Sequence, residues 1–378
     1  MPTRNAIPHI KAQTQSSARH SAIIVPVLPN KPLISLEEKE TYGKISLNLN
    51  TSLAFVENSS FEPHLITYDR AYQNSQAFSP RFLSHMKDVA ALLRDVYPPG
   101  TSVVEVGCGK GDFLDLLSEG AHFDVLGFDE TYEGSNPRIQ KRFLTNNDRI
   151  KTDLIILRHT LEHIPSPHQF LELLKNVFGS APIYIEVPDL DWIFRNQAYI
   201  DITYEHVNYF SRESLLKLFD SKNIRSGALF DDQYQYVIAE ISDLSNRFLS
   251  DYESDHWKEL DFYALFPRIT ETISHIDNLL STNRKAYVWG AATKGCMFLV
   301  HCLQLNKVAN KVRFAIDINP NKSGKFLPGS HVPIRDKAAF FASASDGDLV
   351  IVSNPSYKDE IVREIRQSQL KNIEVISL

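Results

Sequence analysis

Apolar positions along this chain follow two periods, and the switches between them mark its elements. A helical spacing of Phe82, Met86, Val89, Leu92, Leu93 and Val96 runs to a stop at Pro98-Pro99-Gly100. Short apolar runs then alternate with helical stretches. Ser102–Val106, Val125–Asp129, Asp153–Leu157 and Ile183–Val187 read as strands, and Pro167–Phe178 as one of the helices between them. Such alternation predicts a parallel sheet with helices on both faces. A second alternating unit starts late. Ala286–Trp289 enters a small-residue turn, a helix follows over Cys296–Leu305, and Val312–Asp317 and Asp348–Val352 are further strands. Between the units, Asp251–Leu280 carries helical spacing through Trp257, Leu260, Phe262, Leu265 and Ile269. Ahead of the first unit, Ile34–Phe61 is mixed, with strand-like pieces such as Ser52–Val56, and the first 20 residues are polar.

The predicted organisation is therefore an N-terminal extension and small region (1–66), an α/β domain (67–250), a helical linker (251–283) and a smaller Rossmann-like C-terminal α/β domain (284–378). In sheets of this kind ligands bind beyond the carboxyl ends of the strands, so the residues just after each strand carry the chemistry.

Composition narrows the partners. The chain has 378 residues, 43% hydrophobic and 23% charged, with net charge −6. No long basic run is present, which disfavours nucleic acid and leaves a small-molecule substrate. Three cysteines (Cys108, Cys296, Cys302) form no C-x-x-C, which predicts neither a disulfide framework nor a structural zinc. No apolar run reaches about 18 residues, so no membrane span is expected. A cytoplasmic monomer or homodimer is the expectation.

The most informative string is Val103-Val104-Glu105-Val106-Gly107-Cys108-Gly109-Lys110-Gly111. It reads as a strand ending in a glycine turn, with a helix opening at Asp112. Glycines let backbone approach a ligand closely. Glu105 would repel phosphates and suits a ligand rich in donors or positive charge. Asp129 ends the next strand about 20 residues on, the spacing of a ribose-hydroxyl contact. The arrangement resembles the class I methyltransferase fold, whose first motif is E-x-G-C-G-x-G. Glu105, Gly107, Gly109, Gly111 and Asp129 then become cofactor-binding candidates for S-adenosylmethionine, joined by Arg158 and His159 at a later strand end. A nicotinamide dinucleotide fold is the competing reading, with a poorer match because residue 112 is Asp and no third glycine follows.

Four further groups stand after strands or in turns. Leu157-Arg158-His159-Thr160-Leu161-Glu162-His163-Ile164-Pro165 has the order H-x-x-E-H, but its position after a buried strand and before Pro165 argues against a zinc helix. Tyr204-Glu205-His206-Val207-Asn208-Tyr209-Phe210-Ser211 offers an imidazole suited to base catalysis near neutral pH, with Glu205 beside it, and Tyr204 or Tyr209 as donors. Phe210 reads as core and Ser211 as a helix cap. Tyr68–Gln76 reads as a lid over the cofactor or as a solvated loop. Gly290-Ala291-Ala292-Thr293-Lys294-Gly295 is a small-residue turn at a helix start, suited to a pyrophosphate or else a plain exposed loop. Lys322, Lys325 and His331 would thicken its positive field.

Together these pieces resemble the C-methyltransferases that act on nucleotide-linked deoxy-keto-sugars. The resemblance runs from about Tyr68 onward. It rests on the glycine turn, L-x-H-I-P, E-H-V-N-Y-F-S, G-A-A-T-K-G and the string from Asp317 to Ile334. It implies S-adenosylmethionine in the first α/β domain and a nucleotide-sugar between that domain and the C-terminal one. It implies His206 as base with Glu205 orienting it, His163 lining the sugar site, and Tyr72 or Tyr68 as aromatic donor. Tyr204, Thr293, Lys294, Lys325 and His331 are then substrate-binding candidates. Two departures stand out. The family usually opens with a cysteine-rich zinc module, whereas no cysteine precedes Cys108 here. The tyrosine expected three residues before the motif histidine is Thr203, with tyrosine at 204. These departures keep open an O- or N-methyltransferase, or a non-catalytic binding protein on the same fold.

Overall fold

The structure is a computed structural model that describes residues 22–69, 71–73, 75, 77–280 and 284–378. The polar extension of the first 20 residues lies outside the described residues, as do Arg70, Asn74 and Gln76 of the expected lid and residues 281–283 of the expected linker.

The N-terminal region forms two hairpins, β1 (Ile23–Pro26) with β2 (Tyr42–Ile45), and β3 (Leu47–Asn50) with β4 (Phe55–Asn58), both antiparallel. The piece Ser52–Val56, expected as a strand, is a turn through Ala54 followed by β4. Helix α1 (Pro80–Val96) comes next. The Ser79 hydroxyl accepts from the Phe82 amide, the Glu360 carboxylate accepts from the Arg81 amide, and Pro80 has no N–H to satisfy. The face carrying Phe82, His85, Met86, Val89, Ala90 and Leu93 is buried.

The methyltransferase-like sheet is built from β5 (Thr101–Val106), α2 (Asp112–Ser118), β6 (Phe123–Phe128), β7 (Ile139–Gln140), β8 (Leu154–Arg158), α3 (Pro167–Phe178), β9 (Pro182–Pro188), α4 (Leu190–Arg195), β10 (Asn208–Phe210), α5 (Arg212–Lys217), β11 (Arg225–Leu229) and β12 (Tyr234–Glu240). Seven of these strands form one sheet in the order β11-β12-β9-β8-β5-β6-β7. The five from β9 to β7 are parallel, and β12 and β11 add antiparallel at one edge. The sheet is thus mixed rather than wholly parallel. Its two faces are separate apolar cores. Val104, Ile155, Leu157, Ile183, Ile185 and Val187 face α3 and α5, while Val103, Val125, Leu154 and Ile156 face α1 and α2. Burying each such side chain contributes about 1.5–3 kcal/mol.

Next in the chain are α6 (Asn246–Tyr252), β13 (Trp257–Glu259), α7 (Phe262–Leu265) and α8 (Ile269–Leu279). The expected helical linker is therefore interrupted. Trp257–Glu259 leaves the helical pattern because it pairs with Asn48–Asn50 of β3. A four-stranded antiparallel sheet in the order β10-β4-β3-β13 results, drawing strands from three regions expected to be separate.

The C-terminal unit is β14 (Ala286–Trp289), α9 (Thr293–Gln304), β15 (Val312–Ile316), β16 (Ile334–Arg335), α10 (Lys337–Ser343), β17 (Leu349–Val352), α11 (Lys358–Gln367) and β18 (Glu374–Ser377). Its sheet is entirely parallel, in the order β16-β15-β14-β17-β18. The N-terminal hairpin leans on this unit. Ile23, Val25, Val27, Ile45 and Leu47 share one apolar core with Met297, Leu299 and Val300 of α9. Among the described residues, no helix is long and apolar enough to cross a membrane.

Candidate active site

A cavity of about 350 Å³ lies beyond the carboxyl ends of β5, β8 and β14. It is lined by Glu105, Gly107 and Gly109 from the glycine turn, Arg158, His159, Glu162 and His163 after β8, and Asp201, Glu205 and His206 before β10. Gly290, Thr293 and Lys294 close it from the C-terminal unit, and Tyr72 and Asn30 from the N-terminal side. Most of the candidates therefore meet in one place.

The glycine turn is shaped as the sequence predicts. Gly107 has φ +77°, and a Cβ there would lie 2.5 Å from the Thr160 hydroxyl oxygen, so only glycine fits between the two strand ends. One oxygen of Glu105 is buried in the protein without a hydrogen-bond partner. Burial pushes this carboxyl up to about 7, against the pull of Arg158. An orphaned carboxylate beside bare glycine backbone fits a ligand that carries ammonium, sulfonium and hydroxyl groups. Asp129 stands beside the turn but outside the cavity lining. One of its oxygens accepts from the Gly109 amide at 2.8 Å and the other from Thr131, so it braces the turn. Gly111, the left-handed residue that opens α2, also lies outside the cavity lining and packs toward Ile139 and Tyr132.

Behind the cavity a buried carboxylate gathers the basic groups. Glu186 accepts from Arg158 Nε at 2.8 Å and from the Tyr184 hydroxyl at 3.0 Å, and bonds His85 Nε2 at 2.7 Å. Its burial opposes ionisation, but Arg158 and then the two histidines hold it well below the usual carboxylate range. The Arg158 guanidinium lies 4.1 Å from the Phe113 ring centre. His159 sits between Glu186 and Glu162. Burial works against its charge, yet the two carboxylates raise it to about 9, so it is an imidazolium at neutral pH. Arg158 and His159 thus contribute fixed positive charge to this wall.

The histidine pair is of the opposite kind. His163 Nδ1 donates to the Glu205 carbonyl at 2.9 Å, which leaves its Nε2 as acceptor. The His206 ring stands edge-on to it, with ring centres 4.9 Å apart. Burial lowers His206 to about 3, helped by His163, so His206 is neutral. Its Nδ1 is buried without a partner. The Glu205 carboxylate does not orient His206, contrary to the expectation from their adjacency. It hydrogen-bonds Tyr72 instead. Burial raises Glu205 to about 8. Glu162, His163 and His206 bring one potential metal ligand atom each within 4.8 Å of one another. A cation there would meet the charge of His159, which already compensates Glu162.

Four substrate candidates are elsewhere. Tyr204 turns away, its ring against Phe61 and its hydroxyl accepting from the Glu62 amide at 2.8 Å. Tyr68 lies behind Tyr72, ring centres 4.8 Å apart. The segment after β15 doubles back, with Phe326 bridging to Leu33 and to Pro333. That fold carries Lys325 out of the lining and sends His331 to Glu40, 2.5 Å away. Lys294 does line the cavity, but it is ion-paired with Asp201. The positive field of this turn is therefore thinner than expected. In the expected lid, Ser75 donates to Asp112 at 2.7 Å and so reaches the cofactor turn. Sequence reasoning missed Asn30, Asp201 and Asp317. Only Asp317 carried a signal, as the acid that ends a strand.

Residues 75–225 match a methyltransferase domain family, and residues 246–377 match the C-methyltransferase C-terminal domain family. The C-methyltransferase NovU of Streptomyces niveus is 25% identical, covering 80% of this chain and 77% of its own. Among solved structures, a SAM-dependent methyltransferase from Aquifex aeolicus is 20% identical over 44% of this chain and 95% of its own, with TM-score 0.33. The PH0226 protein from Pyrococcus horikoshii is 16% identical over 47% of this chain and all of its own, with TM-score 0.36. The two matched domains follow each other in the order of the observed α/β units, and the first contains the glycine turn and the three histidines that line the cavity. The chain thus carries a methyltransferase domain followed by a C-methyltransferase C-terminal domain, the make-up of an S-adenosylmethionine-dependent methyltransferase.

Proposed function

We propose that this enzyme methylates a carbon next to the ketone of a nucleotide-linked keto-deoxysugar. The observation that carries the reading is the shared cavity: the orphaned Glu105 carboxylate, the neutral His206 ring and the opening turn of α9 all line it. The NovU relative is named for C-methylation, and the matched C-terminal domain bears the same description.

Glu105 and the backbone at Gly107 and Gly109 would hold S-adenosylmethionine. When bound, that cofactor supplies an electrophilic methyl group. The chain's own residues must make the acceptor carbon nucleophilic. His206, neutral across the working pH range, takes the proton from that carbon. The electron pair left behind spreads onto the ketone oxygen. Glu205, kept protonated by its burial, and Tyr72 share a hydrogen bond and can donate to that oxygen. His163, fixed by its bond to the Glu205 carbonyl, packs edge-on against His206 and limits its rotation. The first turn of α9, with Lys294 beside it, faces the cavity where an anionic handle on the acceptor can sit.

The test is a thermal-shift screen of nucleotide-sugars with S-adenosylhomocysteine present, since a ligand selective for the folded state raises its melting temperature. Keto-deoxysugar nucleotides should stand out over the free sugars and over nucleoside diphosphates. Equal shifts from unrelated methyl acceptors, with none from keto-sugars, would overturn the reading.

A further inference from the structure

The N-terminal module, which contains no cysteine, reaches into the cavity through one side chain. Asn30 lies in the loop between β1 and β2 and lines the cavity. The loop is held in place from several sides. The Gln73 backbone N–H donates to the Asn30 backbone carbonyl at 2.9 Å, Lys31 pairs with Asp69, and Leu33 bridges to Phe326. Asn30 Nδ2 donates to the Thr293 hydroxyl at 2.7 Å, and the same side chain hydrogen-bonds the Tyr72 hydroxyl. Its Oδ1 is buried with no partner.

A second orphan repeats the pattern one residue along. Lys294, next to Thr293, pairs with one oxygen of Asp201, and the other Asp201 oxygen is buried without a partner. Two adjacent residues at the start of α9 thus each hold a side chain whose remaining oxygen has no donor. Both side chains line the cavity. Buried acceptors of this kind are costly until a donor reaches them. Oxygens left without a donor in this wall favour a ligand carrying hydroxyl or amino hydrogens.

We propose that Asn30 determines acceptor specificity, its Oδ1 accepting a hydrogen bond from a ring hydroxyl or amino group of the molecule to be methylated. The N-terminal module then forms a third wall of the active site. This inference rests on the keto-sugar reading above.

The test compares three probes: a nucleoside-diphosphate keto-deoxyhexose, its counterpart with one ring hydroxyl replaced by amine, and its counterpart with that hydroxyl removed. Wild-type protein should prefer a donor-bearing probe over the deoxy one by about 10–100-fold in kcat/KM. Asn30→Ala should lose that preference, mainly through KM, and keep its affinity for S-adenosylhomocysteine. Asn30→Asp, which retains the acceptor oxygen, should keep the preference. Favouring the hydroxyl or the amino probe identifies which donor is read. Full discrimination by Asn30→Ala would overturn the proposal. So would a variant that loses melting temperature and cofactor affinity without any change in probe preference. If wild-type protein methylates none of the three while still binding the cofactor product, the keto-sugar reading fails and takes this inference with it.

Discussion

Nδ1 of His163 donates to the backbone carbonyl of Glu205 at 2.9 Å. That bond fixes the tautomer of one histidine through the main chain, while the Glu205 side chain bonds Tyr72. Two adjacent residues, Glu205 and His206, then serve different partners across the same cavity. In the proposed reaction, proton removal would fall to His206 and oxyanion support to the Glu205–Tyr72 pair.

His206→Ala should therefore lower kcat by about 10²–10⁴-fold, the usual contribution of a general base. Cofactor binding should be unchanged. Isothermal titration with S-adenosylhomocysteine alongside steady-state kinetics checks both. Because burial holds His206 near 3, the profile of kcat should show no acid limb near pH 6.5. A limb there that vanishes in the variant would contradict its neutral state.

Glu105 gives cofactor binding its own pH dependence. A cationic ligand prefers the ionised carboxylate, and burial has raised this group to about 7. Affinity for S-adenosylmethionine should rise as pH increases through 7 and weaken below it. Glu105→Gln should bind more weakly at pH 8 and lose that dependence. Titration calorimetry at pH 6 and pH 8 reads the difference.

The ligand-free protein should lose stability on the alkaline side. Glu205 is raised to about 8 and His159 to about 9. Groups raised on folding stabilise fully below their unfolded values, and that contribution is lost as pH rises through the folded ones. Between pH 6.5 and 8 both act in the same direction, each by at most about 1.4 kcal/mol per pH unit, and from 8 to 9 only His159 does. Below 6.5 the lowered value of His206 acts the other way, since its stabilisation is lost as pH falls. From about pH 4.5 to 6.5 the slopes of Glu205 and His206 oppose each other, so melting temperature should be higher below pH 6.5 than above it, and Glu205→Gln should flatten the alkaline fall. Denaturant melts at several pH values measure it.

Removing the hub at Glu186 should be severe. Its carboxylate is fully buried and compensates Arg158 while bonding His85 and Tyr184. Glu186→Ala should cost about 3–5 kcal/mol, because a buried guanidinium is left unpaired. Exposed pairs give a contrast: breaking Lys217–Glu213 should cost under about 1 kcal/mol.

Much of the fold was legible in the sequence because it rests on local signals. Helix α3 occupies the residues its period predicts, Pro167–Phe178, bounded by a proline and a glycine. Strand ends placed Glu105, His159 and His163 near one another through topology, and the resemblance of the E-H-V-N-Y-F-S segment added His206. What escaped was set by distant partners. Trp257–Glu259 has helical spacing but pairs with β3, a contact no local window contains. Tyr204 and His331 look available in sequence, yet Glu62 and Glu40, far along the chain, engage them. Asn30 sits in a plain Pro-Asn-Lys loop, and only the fold shows that it meets Thr293, 263 residues away.

The most direct measurement is carbon NMR of the product formed from a nucleotide-linked keto-deoxysugar and S-adenosylmethionine labelled with ¹³C at its methyl group. The account predicts a labelled methyl bonded to the carbon beside the ketone, with His206→Ala giving almost none. A labelled methyl on oxygen or nitrogen, or full C-methylation by that variant, would contradict it.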